Sequence, residues 1–439
     1  MTTGRAGGAA ADAESERPAQ PRTPGRKEDH TPVRALTPRR ARGYGPGRAC
    51  HNRGQSRYAD RYNRRPSTAS GEDVHERRQQ KIRRRRPRPE TFPGVGGRGR
   101  FRPRTAERSP TRGQTTPRIL TYSDHRPPGE TRTRFLKDVV FPAIERESNG
   151  RLKIEAHWDG EIAGSFDALR AVGEPGGTDM ATVVPEYTAD RLPLHQIFKS
   201  FPLGPTGRSQ IEFFRRVHAE VPAFPAEPEK NNAVHVYFGT GYPAAFFSAP
   251  PLPGLDGLRG GTWRSSSFWH RDFLVNAGAT PASVPWGQPV LDALAAGTLD
   301  GVMVNVDDGY LLNVQDAAPD VLIAKELWLG HVYPVAMNKD VWNGLPQNDR
   351  QAIRRAVETS YRALGAVMES SFDTQVEELR RSGANVHVLG PDELERWRTV
   401  TEYREVQASW VKAQEAKGVT GVGAALAGVT KIMNCFVRP

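Results

Sequence analysis

In the stretch Gly257-Leu-Arg-Gly-Gly-Thr-Trp-Arg-Ser-Ser-Ser267, Arg264 closes a short extended run and three serines follow it. A guanidinium is a planar, permanently charged fork that matches a carboxylate with two parallel hydrogen bonds and tolerates partial desolvation better than an ammonium. Elsewhere the constellations that make or break bonds are missing. The sequence contains no H-E-x-x-H, C-x-x-C, G-x-S-x-G or Walker loop. Its 11 histidines are scattered without ligand spacing, and His157, His235 and His331 read as structural residues. The two cysteines, Cys50 and Cys435, are too few for a disulfide framework or a Cys-rich metal site. No catalytic residue, cofactor or metal site is expected, and an enzyme on an α/β fold stands only as an alternative reading.

The charge of the 439-residue chain is unevenly divided. The formal balance of +12 arises because residues 1–118 hold 30 of the 62 Lys+Arg but 11 of the 50 Asp+Glu; that segment carries +19 and the remainder −7. The segment is rich in Arg, Pro, Gly, Ser and Thr, with no apolar period, and it cannot build a core. It is expected to be a disordered extension, or GC-rich upstream DNA translated from a start codon placed too early. Runs such as Arg83-Arg-Arg-Arg-Pro-Arg-Pro89 support the alternative of a nucleic-acid or polyanion-binding tail. The folded part, being acidic, is expected to bind no nucleic acid. Gly94-Val-Gly-Gly-Arg-Gly99 matches a dinucleotide fingerprint but lacks the flanking strand and helix. No apolar secretory h-region is seen near Met1 or after Arg39-Arg40, and no run approaches the ~18 apolar residues of a spanning helix.

From Ile119 onward, elements able to position chemistry appear. Residues 118–123, 152–156, 179–184, 233–238, 261–264 and 301–305 read as strands, and 135–148, 166–172, 268–277 and 288–296 as helices, with Gly150 a C-cap. The alternation implies an α/β fold with a parallel sheet. Residues 347–381 form one helical pattern ended by Gly383, roughly 50 Å long, enough to bridge two lobes. Ligands in α/β sheets favour the carboxyl ends of strands. Asn305, the Glu186-Tyr187 pair and the Asp124-His125 pair stand at such ends and become site candidates. Trp269 and Phe273, four apart on a helix, are assigned to the core.

Leu255-Asp-Gly-Leu-Arg-Gly-Gly-Thr-Trp-Arg264 resembles the D-L-K-G-L-K-I-R segment of the substrate-binding proteins of tripartite ATP-independent periplasmic (TRAP) transporters, the DctP-type family. The resemblance continues through Gly278-Ala-Thr-Pro281, Val284-Pro-Trp-Gly-Gln288 and Leu294-Ala-Ala-Gly-Thr-Leu-Asp-Gly301, in order and at the expected spacing. It covers about 320 residues. The resemblance implies a two-lobed, hinge-closing fold of the periplasmic-binding-protein type with a long interlobe helix. It implies lobe I from 118–240 plus about 331–365, lobe II from 241–330 plus about 366–400, and C-terminal helices over 401–439. It further implies a small organic acid as ligand, delivery to a TRAP membrane permease, and the periplasm as location.

On that resemblance Arg264 is the cleft residue that grips the ligand carboxylate, and Trp286 holds the position of a cleft phenylalanine. Tyr242, Phe246 and Phe247 lie just upstream of the motif, where aromatic faces would sandwich an organic ligand. Two departures stand out. Tyr242-Pro-Ala-Ala-Phe246 occupies the place of a second arginine found in many acidic-ligand members, and Val302-Met-Val304 replaces more polar residues. Both favour a monocarboxylate with an apolar body.

Overall fold

The computed structural model describes residues 116–437; segment 1–115, which contains Cys50 and the Gly94–Gly99 match, lies outside the described residues. Among the described residues, eleven strands form two sheets. The first comprises β1 (Arg118–Ser123), β2 (Leu152–His157), β3 (Met180–Thr182), β4 (Ala233–Thr240) and β10 (Val332–Asn338), in the order β2-β1-β3-β10-β4. The second comprises β5 (Ala244–Ser248), β6 (Thr262–Arg264), β7 (Thr280–Ala282), β8 (Gly301–Asn305), β9 (Asp320–Ile323) and β11 (Asn385–Val388), in the order β11-β9-β5-β8-β6-β7.

The parallel pairing expected from the alternation holds for part of each sheet. β1 pairs in parallel with β2 and β3, and β6 with β7 and β8, as βα units require. β10, however, runs antiparallel to β3 and β4, and β5 antiparallel to β8 and β9. The antiparallel strands flank the places where the chain passes between sheets: β4 leads through Gly241-Tyr242-Pro243 into β5, and β9 leads through 324–331 into β10.

Helices α1 (Phe141–Glu147), α2 (Gly207–Glu220), α3 (Ala223–Lys230), α4 (Val306–Leu311) and α5 (Gln347–Arg381) matter most for the site. The 35-residue α5 ends as expected before Gly383, whose φ of +93° is a backbone state that side chains disfavour. Its stripe of Ile353, Val357, Leu364, Met368, Phe372, Val376 and Leu379 is buried throughout. The helix packs on α1 and α2 beside the first sheet and on α4 and β11 beside the second. The Phe238 amide of β4 donates to the Tyr361 hydroxyl at 2.8 Å, fastening α5 to the first sheet. Trp269 and Phe273 are fully buried, and so are Phe246 and Phe247, which the sequence reading had set among the aromatic ligand candidates. In β5 these two phenylalanines face core on both sides because that strand is central in its sheet.

Candidate ligand-binding site

A cavity of about 580 Å³ opens between the two sheets. It lies beyond the carboxyl ends of β1, β3, β6 and β8, reached by His125, Glu186, Arg264 and Asn305 respectively. The β4–β5 crossing contributes Tyr242, and one face of α5 contributes Ser371, Thr374 and Gln375. Six of the seven candidate residues, Arg264, Trp286, Asn305, Tyr242, Tyr187 and Glu186, line this one space.

Arg264 is 5% exposed. Its Nε donates to the Val284 carbonyl at 3.1 Å, which orients the fork, and its guanidinium sits 4.9 Å from the centre of the Trp286 ring. Among the described residues no carboxylate ion-pairs with it. Burial lowers its pKa from the ordinary guanidinium value, and Tyr187 and Asp308 only partly oppose that shift. A buried cation without a counter-charge is costly, and the ring beneath it recovers only about 0.5–2 kcal/mol. The charge is therefore poised for an anion from solution.

The other candidates differ in what they have left to offer. Tyr242 is buried at the crossing, and Tyr187 is 43% exposed and stacked on Phe166 with ring centres 4.5 Å apart. Asn305 is buried, and its side-chain amide donates to the Asp307 carboxyl. Glu186 is already engaged: Lys199 Nζ lies 2.9 Å and His331 Nε2 3.3 Å from its Oε1. Burial alone would raise the Glu186 pKa, but these partners hold it below the usual carboxylate range. Burial brings His331 down to about 3, so that ring is neutral at physiological pH. The hydroxyls of Thr240 and Ser267 line the cavity, buried and without hydrogen-bond partners among the described residues.

Asp124 corrects the expectation. It is 1% exposed and does not line the cavity; its two oxygens accept from Arg132 at 2.6 and 3.0 Å, and one also accepts from the Tyr122 hydroxyl at 2.6 Å. Burial would raise its pKa, yet Arg132 pulls it down to about 2. A carboxylate so well matched is a support, and the side chain it holds toward the cavity is Arg132, which also stacks 5.0 Å from the Tyr333 ring. Its neighbour His125 lines the cavity and is lowered to about 4, by burial before the flanking arginines.

Three features of the site escaped the sequence reading. Arg132 supplies a second arginine, but one neutralised by Asp124. Arg126, after β1, meets Asp308 of α4 at 3.3 Å and so joins the two sides of the cleft. Asp307, beside Asp308, is pushed up to about 8 by burial and by its neighbour's charge, and is a neutral carboxylic acid below that pH. Of the three, the Arg126–Asp308 pair depends on segments far apart in sequence, whereas Asp124 lies eight residues from Arg132 and Asp307 beside Asp308, and there it is burial, set by the fold, that gives the groups their character.

The sequence profile of the bacterial extracellular solute-binding proteins, family 7 (DctP), matches residues 127–413. The chain belongs to this family. Comparison with proteins of curated function returns no match. Among solved structures, a TRAP solute-binding protein from Rhodoferax ferrireducens T118 in complex with copurified benzoate is similar at 19% identity, covering 72% of this chain and 98% of that one, with a TM-score of 0.59. A marine metagenome TRAP protein specific for aromatic acid ligands, in complex with metahydroxyphenylacetate, is similar at 18% identity over 73% and 99%, with a TM-score of 0.61. The pyroglutamic acid receptor DctP7 of Bordetella pertussis is similar at 18% identity over 72% and 99%, with a TM-score of 0.58. These likenesses show the fold, the two-lobed α/β architecture of TRAP solute receptors.

Proposed function

We propose that this DctP-family receptor binds a small monocarboxylate with an apolar or aromatic body in the cleft between its sheets and hands it to a TRAP membrane permease in the periplasm. The observation that carries this reading is the buried guanidinium of Arg264, unpaired and seated on Trp286 in a cavity of ligand size. Arg264 takes the carboxylate, Trp286 and Tyr242 flank the body, and Asn305 and Tyr187 supply polar contacts. Glu186 acts through Lys199 and His331 and fixes the cleft floor. The pairing of Arg132 with Asp124 supports one ligand charge over two, since among the buried cations that line the cavity in the described residues Arg264 is the one without a carboxylate partner, and Arg134, also unpaired, is exposed. Binding alone requires no proton transfer.

A thermal-shift screen of the purified chain against carboxylic acids, with benzoate and pyroglutamate among them, tests the proposal. A ligand that binds only the folded state raises Tm with concentration. Monocarboxylates are expected to raise it and their amides or alcohols to leave it unchanged. A screen in which neutral analogues stabilise as well as the acids would remove Arg264 from its assigned role.

A further inference from the structure

Outside the cleft, the fold brings together three histidines that the sequence leaves far apart. His195 lies in the short 3-10 helix Leu194–Lys199, His218 in the last turn of α2, and His235 in β4. One ring nitrogen of each meets the others within 4.8 Å. None of the three lines the ligand cavity.

Their proton inventory is the informative part. His195 Nδ1 lies 2.7 Å from Glu227 Oε2 on α3, and a carboxylate only accepts, so this nitrogen carries a hydrogen. His218 Nδ1 lies 3.0 Å from the Phe214 carbonyl and donates to it for the same reason. In their neutral forms both rings therefore aim bare Nε2 lone pairs inward, and those two atoms stand 3.2 Å apart. His235 Nδ1 closes on His218 Nε2 at 3.3 Å. Lone pairs so close repel unless something positive lies between them.

We infer that His195, His218 and His235 form a binding site for a divalent transition-metal ion, zinc by preference, in the body of the first lobe. Nitrogens bound to zinc at 2.0–2.1 Å in a tetrahedron stand about 3.3–3.4 Å from one another, close to the two separations that His218 makes, while the third, between His195 and His235, lies within 4.8 Å and would tighten on the ion. Glu227 occupies the position of the carboxylate that orients a ligating imidazole and raises its basicity, while the Phe214 carbonyl does the same for His218. Phe198, Phe224 and Phe238 surround the cluster, with His218 and Phe238 ring centres 4.3 Å apart. Burial in that shell brings His218 down to about 3 and His235 well below its ordinary value, so both are neutral and able to ligate. Three protein nitrogens leave one position for water. The ion would tie together β4, α2 and the 3-10 helix, and Glu227 would extend the tie to α3.

The test uses the full, untagged chain carrying Cys50→Ser and Cys435→Ser, so that no thiol competes. The protein is stripped with EDTA and titrated with Zn2+, and separately with Co2+. The expected result is one tightly held zinc per chain, a rise in Tm that EDTA reverses, and a Co2+ spectrum with the strong visible bands of four-coordinate nitrogen and oxygen ligation. His218→Gln is expected to abolish uptake while circular dichroism and carboxylate binding persist. If that variant fails to fold, Glu227→Gln serves instead, with zinc affinity falling roughly 10–100-fold. Folded protein that takes up no zinc at micromolar concentration would overturn the site. Unchanged zinc stoichiometry in His218→Gln, or the weak Co2+ bands of octahedral surface binding, would overturn it as well.

Discussion

Removing Arg264 deletes a buried charge that no carboxylate of the described residues pairs. Truncating one partner of a buried hydrogen-bonded charge pair costs about 2–5 kcal/mol, so Arg264→Ala is expected to weaken carboxylate binding by roughly 30-fold to a few thousand-fold. Calorimetry with the tightest acid from the screen reads this directly, and a loss under threefold would contradict the assignment. Arg264→Lys keeps the charge but not the fork or the flat contact with Trp286, and should recover only part of the affinity. Asp307 makes the cleft sensitive to pH. Burial and the Asp308 charge raise its pKa, and the Asn305 amide and the backbone amides of Asp307 and Asp308 oppose them. Its folded pKa of about 8 exceeds that of an unfolded aspartate, so the native state holds the extra proton and stability falls as pH rises from about 4 through 8. Above pH 8 a further negative charge enters the cavity beside Asp308, and affinity for an anionic ligand should drop. Asp307→Asn is expected to flatten both profiles between about pH 6 and 9; a variant whose binding still declines like the parent's would show that another group titrates.

At the level of elements, the contact between α5 and α2 depends on a missing side chain. A Cβ at Gly365 would stand 2.7 Å from the Arg208 amide nitrogen, a backbone atom that cannot turn aside. Alanine gains about 1 kcal/mol of helix propensity, while overpacking a fixed contact costs about 1–3 kcal/mol, so Gly365→Ala should be neutral to destabilising in spite of its better helical residue. Urea denaturation decides it, and a clear gain in stability would mean that the two helices can separate freely. The helix itself was legible, because thirty-five residues of 3.6 periodicity between Leu345-Pro346 and Gly383 admit few other readings. So was β6, whose surrounding motif runs unbroken to Arg264. α2 left a signal that went unread, since Ile211, Phe214 and Val217 recur at helical spacing. α3 was masked by Pro225 and Pro228, and the antiparallel strands β5, β9 and β10 are set by pairings between segments distant in sequence. The same distance hid the face of α5 that closes the cavity, while Arg132 and Asp124, only eight residues apart, were hidden by the turn between them. A residue's type is local information, but what lies opposite it is decided by topology.

For the molecule as a whole, closing the cleft on a ligand is a population shift driven by contacts made to both sides at once. The Arg126–Asp308 pair joins those sides without a ligand, and Glu130 steadies Arg126 at 2.8 Å. About a third of the Arg126 side chain and a quarter of that of Asp308 remain exposed, so the pair belongs with surface ion pairs worth about 0.2–1 kcal/mol. A latch that weak biases closure without imposing it, as release to a permease requires. Arg126→Ala should therefore lower affinity only about 1.4–5-fold, through a smaller closed population, and the loss should shrink at high salt as screening weakens the parent's pair. Small-angle scattering at matched ligand saturation should show parent and variant with the same compact radius, because the ligand and Arg264 then hold the cleft shut. If Arg126→Ala instead cost as much as Arg264→Ala, the latch would be part of the binding machinery, and the division between one strong ligand-gripping charge and one weak closing pair would have to be redrawn.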